Sequence, residues 1–177
     1  MTTIIAVRKN DGVLIGSDTQ TTYGGIYNSA IHNKYVHNAD VVIGCAGSGN
    51  AKTWVAANMD SFPDVPALAY TSKDAWFTFV ASDVMEWLSQ FEGFKDCAFV
   101  IAIRGQVAVL EGDFQYVEVP SGNVIGTGSG WTKLANYIIV NNIKTKKDVE
   151  KALKFAAATD NYTSAPFAIE EIKLKGL

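Results

Sequence analysis

The strongest constraint on the fold lies in the first eighteen residues. Thr2 to Val7 is apolar and β-branched, Asn10-Asp11-Gly12 is a tight-turn signal, and Val13 to Gly16 is apolar again before Ser17-Asp18. Branched side chains suit a pleated strand, and a turn signal between two such runs makes a hairpin. A hairpin that opens almost at the first residue brings Asp18 back toward Thr2.

The later pattern builds on this hairpin. Residues 19 to 40 are polar, with Gly24-Gly25, and read as turns and short strands. Val41 to Ala46 reads as a strand, and Ala51, Trp54, Val55 and Met59 follow at helical spacing. Pro63 and Pro66 break the chain. A longer helix is expected from Thr71 or Ser72, where Thr71 and Asp74 are spaced as a capping box. Its apolar face is Trp76, Val80, Val84, Trp87 and Phe91. Residues 97 to 103 and Gln106 to Leu110 read as a hairpin, and Tyr116 to Val119 as a further short strand.

The glycine-rich segment Gly126-Thr127-Gly128-Ser129-Gly130 leads into a helix carrying Trp131, Leu134 and Ile138. Thr145 and Asp148 cap another helix, and Ala168 to Leu174 closes the chain as a strand. Strands and helices come in blocks and do not alternate, which disfavours a doubly wound parallel sheet and favours antiparallel sheets with helices outside. With no linker, repeat or low-complexity tract, residues 1–177 are expected to form a single domain.

Composition excludes several function classes. The chain is 48% apolar and 19% charged, with net charge -3 and its Lys and Arg residues scattered, so neither a nucleic-acid face nor a polybasic membrane anchor is expected. Cys45 and Cys97 sit in apolar runs and read as buried thiols, with no zinc spacing around them. No apolar run approaches the about 20 residues of a membrane span. The N-terminus lacks the basic and apolar regions of a signal peptide, which makes a cytoplasmic protein the expectation.

Thr2 is the residue with chemical promise. Removal of Met1 leaves an α-amine and a hydroxyl on one residue, and the amine can serve as general base for its own Oγ1. Such an amine titrates near ~7.7–8.0, so part of it is neutral at working pH. A nearby lysine lowers that value and needs a carboxylate to hold it in place. Asp18 and Lys34 are the candidates. Taken singly, Thr2 also reads as an ordinary strand residue, Asp18 as a turn residue and Lys34 as a solvated cation.

Thr2-Thr3-Ile4-Ile5-Ala6-Val7-Arg8-Lys9, then Gly12-Val13-Leu14-Ile15-Gly16-Ser17-Asp18 with Thr22, then Lys34, resemble the β-subunits of proteasomes and the HslV-type peptidases. The resemblance runs from Thr2 to Ile172 and is clearest in the first forty residues. It implies an α+β fold, a four-layer αββα sandwich of antiparallel sheets (the N-terminal-nucleophile hydrolase fold). It implies Thr2 as nucleophile, Asp18 and Lys34 as its supporting pair, and Gly47 as the backbone N–H donor to the oxyanion. Cys45 would shape the pocket for the side chain before the cut bond. Thr22 and Gly49 would bind the substrate backbone.

Thr127 matches a family serine that supports the N-terminal amine, and Ser129 could share that role. Asp160 and Thr163 resemble an Asp-x-Tyr-Ser segment with threonine in place of serine. The same region implies a structural sodium ion on the backbone of Ala157, Asp160 and Thr163. The chemistry needs no other cofactor.

The resemblance further implies unfolded-protein or peptide substrates and a homo-oligomeric double ring, hexameric or heptameric. An ATPase unfoldase partner belongs to the HslV type. Two other readings use the same residues: an amidase for small amides, and a non-catalytic ring subunit that retains Met1. A third motif is weaker. Gly47-Ser48-Gly49-Asn50-Ala51-Lys52-Thr53 follows a strand as a phosphate loop would, but Ala46 and Ala51 stand where that loop requires glycine. His32 and His37 read as surface or packing residues.

Overall fold

The computed structural model describes residues 2–23, 26–28, 32–112, 116–117, 124–128 and 131–175. The expected hairpin forms from β1 (Thr3–Lys9) and β2 (Gly12–Asp18), with Ile4 opposite Ser17 and Lys9 opposite Gly12. Short strands follow: β3 (Thr21–Tyr23), β4 (Ile26–Asn28), β5 (Tyr35–His37) and β6 (Val42–Ala46). After α1 (Ala51–Asn58), α2 (Lys73–Phe79) and α3 (Met85–Ser89) come β7 (Ala98–Ile103), β8 (Gln106–Glu111), β9 (Tyr116–Val117) and β10 (Val124–Gly128). Helices α4 (Trp131–Asn141) and α5 (Lys146–Thr159) and strand β11 (Phe167–Lys173) complete the order.

The strands form two antiparallel sheets, ordered β10-β1-β2-β11 and β5-β6-β7-β8-β9, beside the small β3-β4 ribbon. Three apolar layers hold them. Ile4, Ala6, Val13 and Ile15 of the first sheet meet Val42, Val100, Ala102 and Val109 of the second. The alternate residues Ile5, Val7 and Leu14 face Leu134, Val149, Ala152 and Leu153 of α4 and α5. On the far side Ile43, Phe99, Ile101 and Leu110 pack under Val55, Trp76, Val80, Trp87 and Leu88. Successive strand residues point to opposite faces. A strand stretch covered on both faces is therefore apolar at every position, as Ile4 to Val7 of β1 and the whole of β7 are. The result is the α+β, four-layer arrangement that the resemblance implied.

One local reading is corrected and one strand is added. Ser72, not Thr71, caps α2, its Oγ accepting from Ala75 N at 3.3 Å. The glycine-rich segment leads into α4 as expected, and residues 124–128 before it form an edge strand on β1 that the sequence pattern did not predict: Thr3 lies opposite Gly128 and Val7 opposite Val124. Val80–Val84 is a π-helical turn between α2 and α3. Trp76, Val80 and Val84 recur every fourth residue, and each such step overshoots a 3.6-residue turn by about 40°. A wider turn keeps all three against the sheet.

Candidate active site

The site forms where β1 begins, β2 ends and β6 ends. Asp18 is fully buried. Its Oδ1 accepts from Thr3 N at 2.8 Å and its Oδ2 from Gln20 N at 3.0 Å. Burial is the largest influence on this carboxyl and pushes it up to about 6, against the lowering effect of the Thr3 N–H, the Lys34 charge and the Gln20 N–H. The β1-β2 turn thus returns Asp18 to the peptide that joins Thr2 to Thr3.

Lys34 is held through its backbone by both sheets. Its N–H donates to Ser17 Oγ at 3.1 Å, and its carbonyl accepts from Cys45 N at 2.7 Å. Its ammonium donates to Thr21 Oγ1 at 3.1 Å. Burial lowers the Lys34 pKa, Asp18 opposes that shift and Lys52 adds to it. Lys52, the lysine of the phosphate-loop-like motif, donates instead to Asn33 Oδ1 at 2.6 Å.

Thr2 is 6% exposed and lines two cavities, of about 480 Å³ and about 60 Å³. Gly47 lines both as well. The larger is walled by Thr127, Gly128, Lys95 and Glu111, and the smaller by Gln20, Lys34, Cys45, Gly49 and Lys52. Gly47 has φ +112°, and a Cβ there would lie 2.2 Å from Asp96 O, so only glycine fits. The next residue, Ser48, donates its N–H to Cys97 Sγ at 3.4 Å, fixing this turn against the start of β7. Nothing approaches within 4 Å of a Cβ placed on Gly49, which leaves its backbone open to a ligand. Cys45 is buried, and burial pushes its thiol well above the usual range.

The outer residues are arranged less directly. Thr127 is buried in β10 and shares the larger cavity with Thr2. Thr163 donates to Asp160 Oδ2 at 2.8 Å and lies 2.6 Å from Thr3 Oγ1. Asp160 and Thr163 therefore reach Thr2 through Thr3. Ser129 lies outside the described residues. Thr22 lies in β3 opposite Tyr27, and its side chain is also outside the described set.

Sequence reasoning missed Thr3, Ser17, Thr21 and Cys97 as partners of the site. Thr3, Ser17 and Thr21 directly precede or follow predicted site residues, a signal that could have found them. Cys97 carries no such signal.

The profile of a family described as "Proteasome subunit" matches residues 1–53. The ATP-dependent protease subunit HslV of Sulfurihydrogenibium sp. (strain YO3AOP1) is 27% identical over 97% of each chain. The chain is thus similar to the proteasome β-subunit and HslV-type family. Solved structures share its fold. The crystal structure of eukaryotic HslV from Trypanosoma brucei superposes with a TM-score of 0.70 at 20% identity, covering 97% of this chain and 99% of that one. Thiobacillus denitrificans BPH in complex with epoxomicin gives 0.71 at 18% identity, covering 98% and 99%. Among the described residues, no helix is long and apolar enough to cross a membrane and no group of three or more His, Cys, Asp or Glu is placed to hold a metal ion.

Proposed function

We propose that the chain is the peptidase subunit of a self-compartmentalising, proteasome-like protease that cuts peptide bonds through an acyl-enzyme on Thr2 once Met1 is removed. The observation that carries this reading is the position of Thr2. It is joined through the Thr3 N–H to buried Asp18, and it shares both cavities with Gly47.

In this reading the neutral α-amine of Thr2 takes the Oγ1 proton, and Oγ1 attacks the scissile carbonyl. The Lys34 charge favours the neutral amine, and Asp18 balances that charge. The Gly47 N–H receives the developing oxyanion. As the C–N bond breaks, the amine proton passes to the leaving nitrogen, and water then hydrolyses the ester by the reverse use of the same base. The substrate backbone lies along Thr22 and Gly49 as an added strand. The side chain before the cut enters the smaller cavity beside Cys45. Thr127 supports the amine from the larger one, and Ser129 shares that role.

A structural sodium ion at the end of α5 fits the donors in kind. A helix end leaves its last carbonyls without helical partners, and Asp160 O, which accepts from Thr163 N at 3.4 Å, lies at that end. Ala157, Asp160 and Thr163 would hold it, and it would order the turn beneath Thr3 without entering the reaction. Double hexameric or heptameric rings in the cytoplasm, fed by an ATPase unfoldase, complete the proposal. Its support is the relative named as an ATP-dependent protease subunit.

Intact mass should show loss of Met1, and epoxomicin should add its mass to Thr2. Thr2→Ala should lose cleavage of short fluorogenic peptides and the adduct together. Full cleavage by that variant would sink the mechanism. Retained Met1 with no adduct would favour a non-catalytic subunit, and turnover of small amides without peptide cleavage would favour an amidase.

A further inference from the structure

The residue that follows the nucleophile is gripped by both carboxylates of the site. The N–H of Thr3 donates to Asp18 Oδ1 at 2.8 Å, and Thr3 Oγ1 lies 2.6 Å from Thr163 Oγ1. Thr163 has one hydroxyl proton, and that proton points to Asp160 Oδ2 at 2.8 Å. A carboxylate only accepts, so the proton between the two threonines must come from Thr3. The chain of bonds runs in one direction, from Thr3 through Thr163 to Asp160. Thr3 is fully buried and Thr163 is 3% exposed, so water does not compete for these bonds.

This grip has a mechanical consequence. The Thr3 N–H belongs to the peptide plane that also contains the Thr2 carbonyl and the Thr2 Cα. Fixing the N–H on Asp18 fixes the tilt of that plane. On its other side the Thr2 carbonyl runs against Gly128, where a Cβ would lie only 1.8 Å from the oxygen. A β-branched side chain has few χ1 choices, so anchoring Thr3 Oγ1 on Thr163 also fixes the Thr3 backbone. Rotation of Thr3 about its own Cα would carry the Thr2 Cα, and with it the nucleophile, away from Gly47.

We infer that Thr3 is a positioning residue for the Thr2 nucleophile, and that its hydroxyl, bonded through Thr163 to Asp160, sets the alignment of Thr2 in the transition state. This rests on the reading of Thr2 as nucleophile. It assigns Asp160 and Thr163 an indirect role, exerted on the nucleophile through Thr3.

The test compares Thr3→Val, Thr3→Ser, Asp160→Asn and the Thr3→Val/Asp160→Asn double variant on the assembled protein. Readouts are peptide cleavage and the rate of covalent capture of Thr2 by epoxomicin, followed by intact mass. Thr3→Val should lower kcat by about tenfold or more with KM within about twofold, because alignment acts only at the transition state. Thr3→Ser should restore kcat to within about threefold of wild type. Asp160→Asn should lower kcat without raising KM, and the double variant should be no worse than Thr3→Val, as members of one chain are not additive.

Wild-type kcat in Thr3→Val, or losses that multiply in the double variant, would overturn the inference. If Thr3→Val does not fold, wild-type kcat in Asp160→Asn overturns it alone. A wild-type protein that neither cleaves peptides nor forms the Thr2 adduct would instead overturn the reading of Thr2 as nucleophile.

Discussion

Gly128 bears no side chain at the point where the Thr2 carbonyl passes it. A Cβ there would lie 1.8 Å from Thr2 O and 2.9 Å from Thr3 Cα, and the residue has φ +126°. Gly128→Ala should therefore push β10 away from the first residues of β1. The backbone strain alone costs about 1–2 kcal/mol. A thermal melt should drop by several degrees and peptide cleavage should fall more than stability does. Unchanged activity would show that β1 tolerates the displacement.

Gly47→Ala meets Asp96 O at 2.2 Å and keeps a φ of +112°. The 47–48 turn must move, and its N–H groups move with it. Loss of one oxyanion donor costs about 10²–10³ in kcat. Steady-state kinetics should show that loss with KM little changed. A rise in KM alone would argue that this turn binds substrate without serving the transition state.

Asp18 titrates at about 6 in the fold, above its ordinary value of 3.8, chiefly through burial. A carboxyl raised in this way is favoured in its protonated form by the folded state. Its stabilising contribution is complete below about pH 4 and is lost as the pH rises through about 6. In the proposed mechanism catalysis follows the opposite sense, since the charged carboxylate is the form that would balance Lys34. Cleavage should fall as the pH drops below about 6. Melting curves for wild type and Asp18→Asn should differ in slope between about pH 4 and 6. Parallel curves would rule out Asp18 as the titrating group.

Ser17→Ala removes the acceptor for Lys34 N and leaves a half-buried donor. The stability cost should be about 1 kcal/mol. The Lys34 main chain should also shift, so activity should fall while Thr145→Ala, a comparable loss at the capping box of α5, leaves activity intact. Equal activity in the two variants would mean that the Ser17 bond is structural only.

Much of this site was legible because it is local. The Asn10-Asp11-Gly12 turn dictates the register that returns Asp18 to Thr3, and a family motif carries Lys34 and Gly47. The capping box at Thr145 was equally readable, since its partners are three residues apart. Strand β10 was not. Its glycines suit the opening of a helix locally, and it is a strand only because β1 presents an unpaired edge there. The Thr3–Thr163 contact spans 160 residues of sequence. No local rule states such a pair, because it arises from where the end of α5 lands after both sheets have packed. Thr71 failed as a cap for a smaller reason, the neighbouring Ser72 offering the same kind of oxygen one residue later.

The two backbone bonds of Lys34 have one more consequence. Its N–H is tied to Ser17 in one sheet and its carbonyl to Cys45 in the other. The lysine is a rivet through the seam between them. Sliding one sheet by a fraction of a residue would strain that rivet before it disturbed the apolar layers, which tolerate small slips. Under the proposed mechanism, the placing of the Lys34 charge is thus set by how the two sheets are aligned.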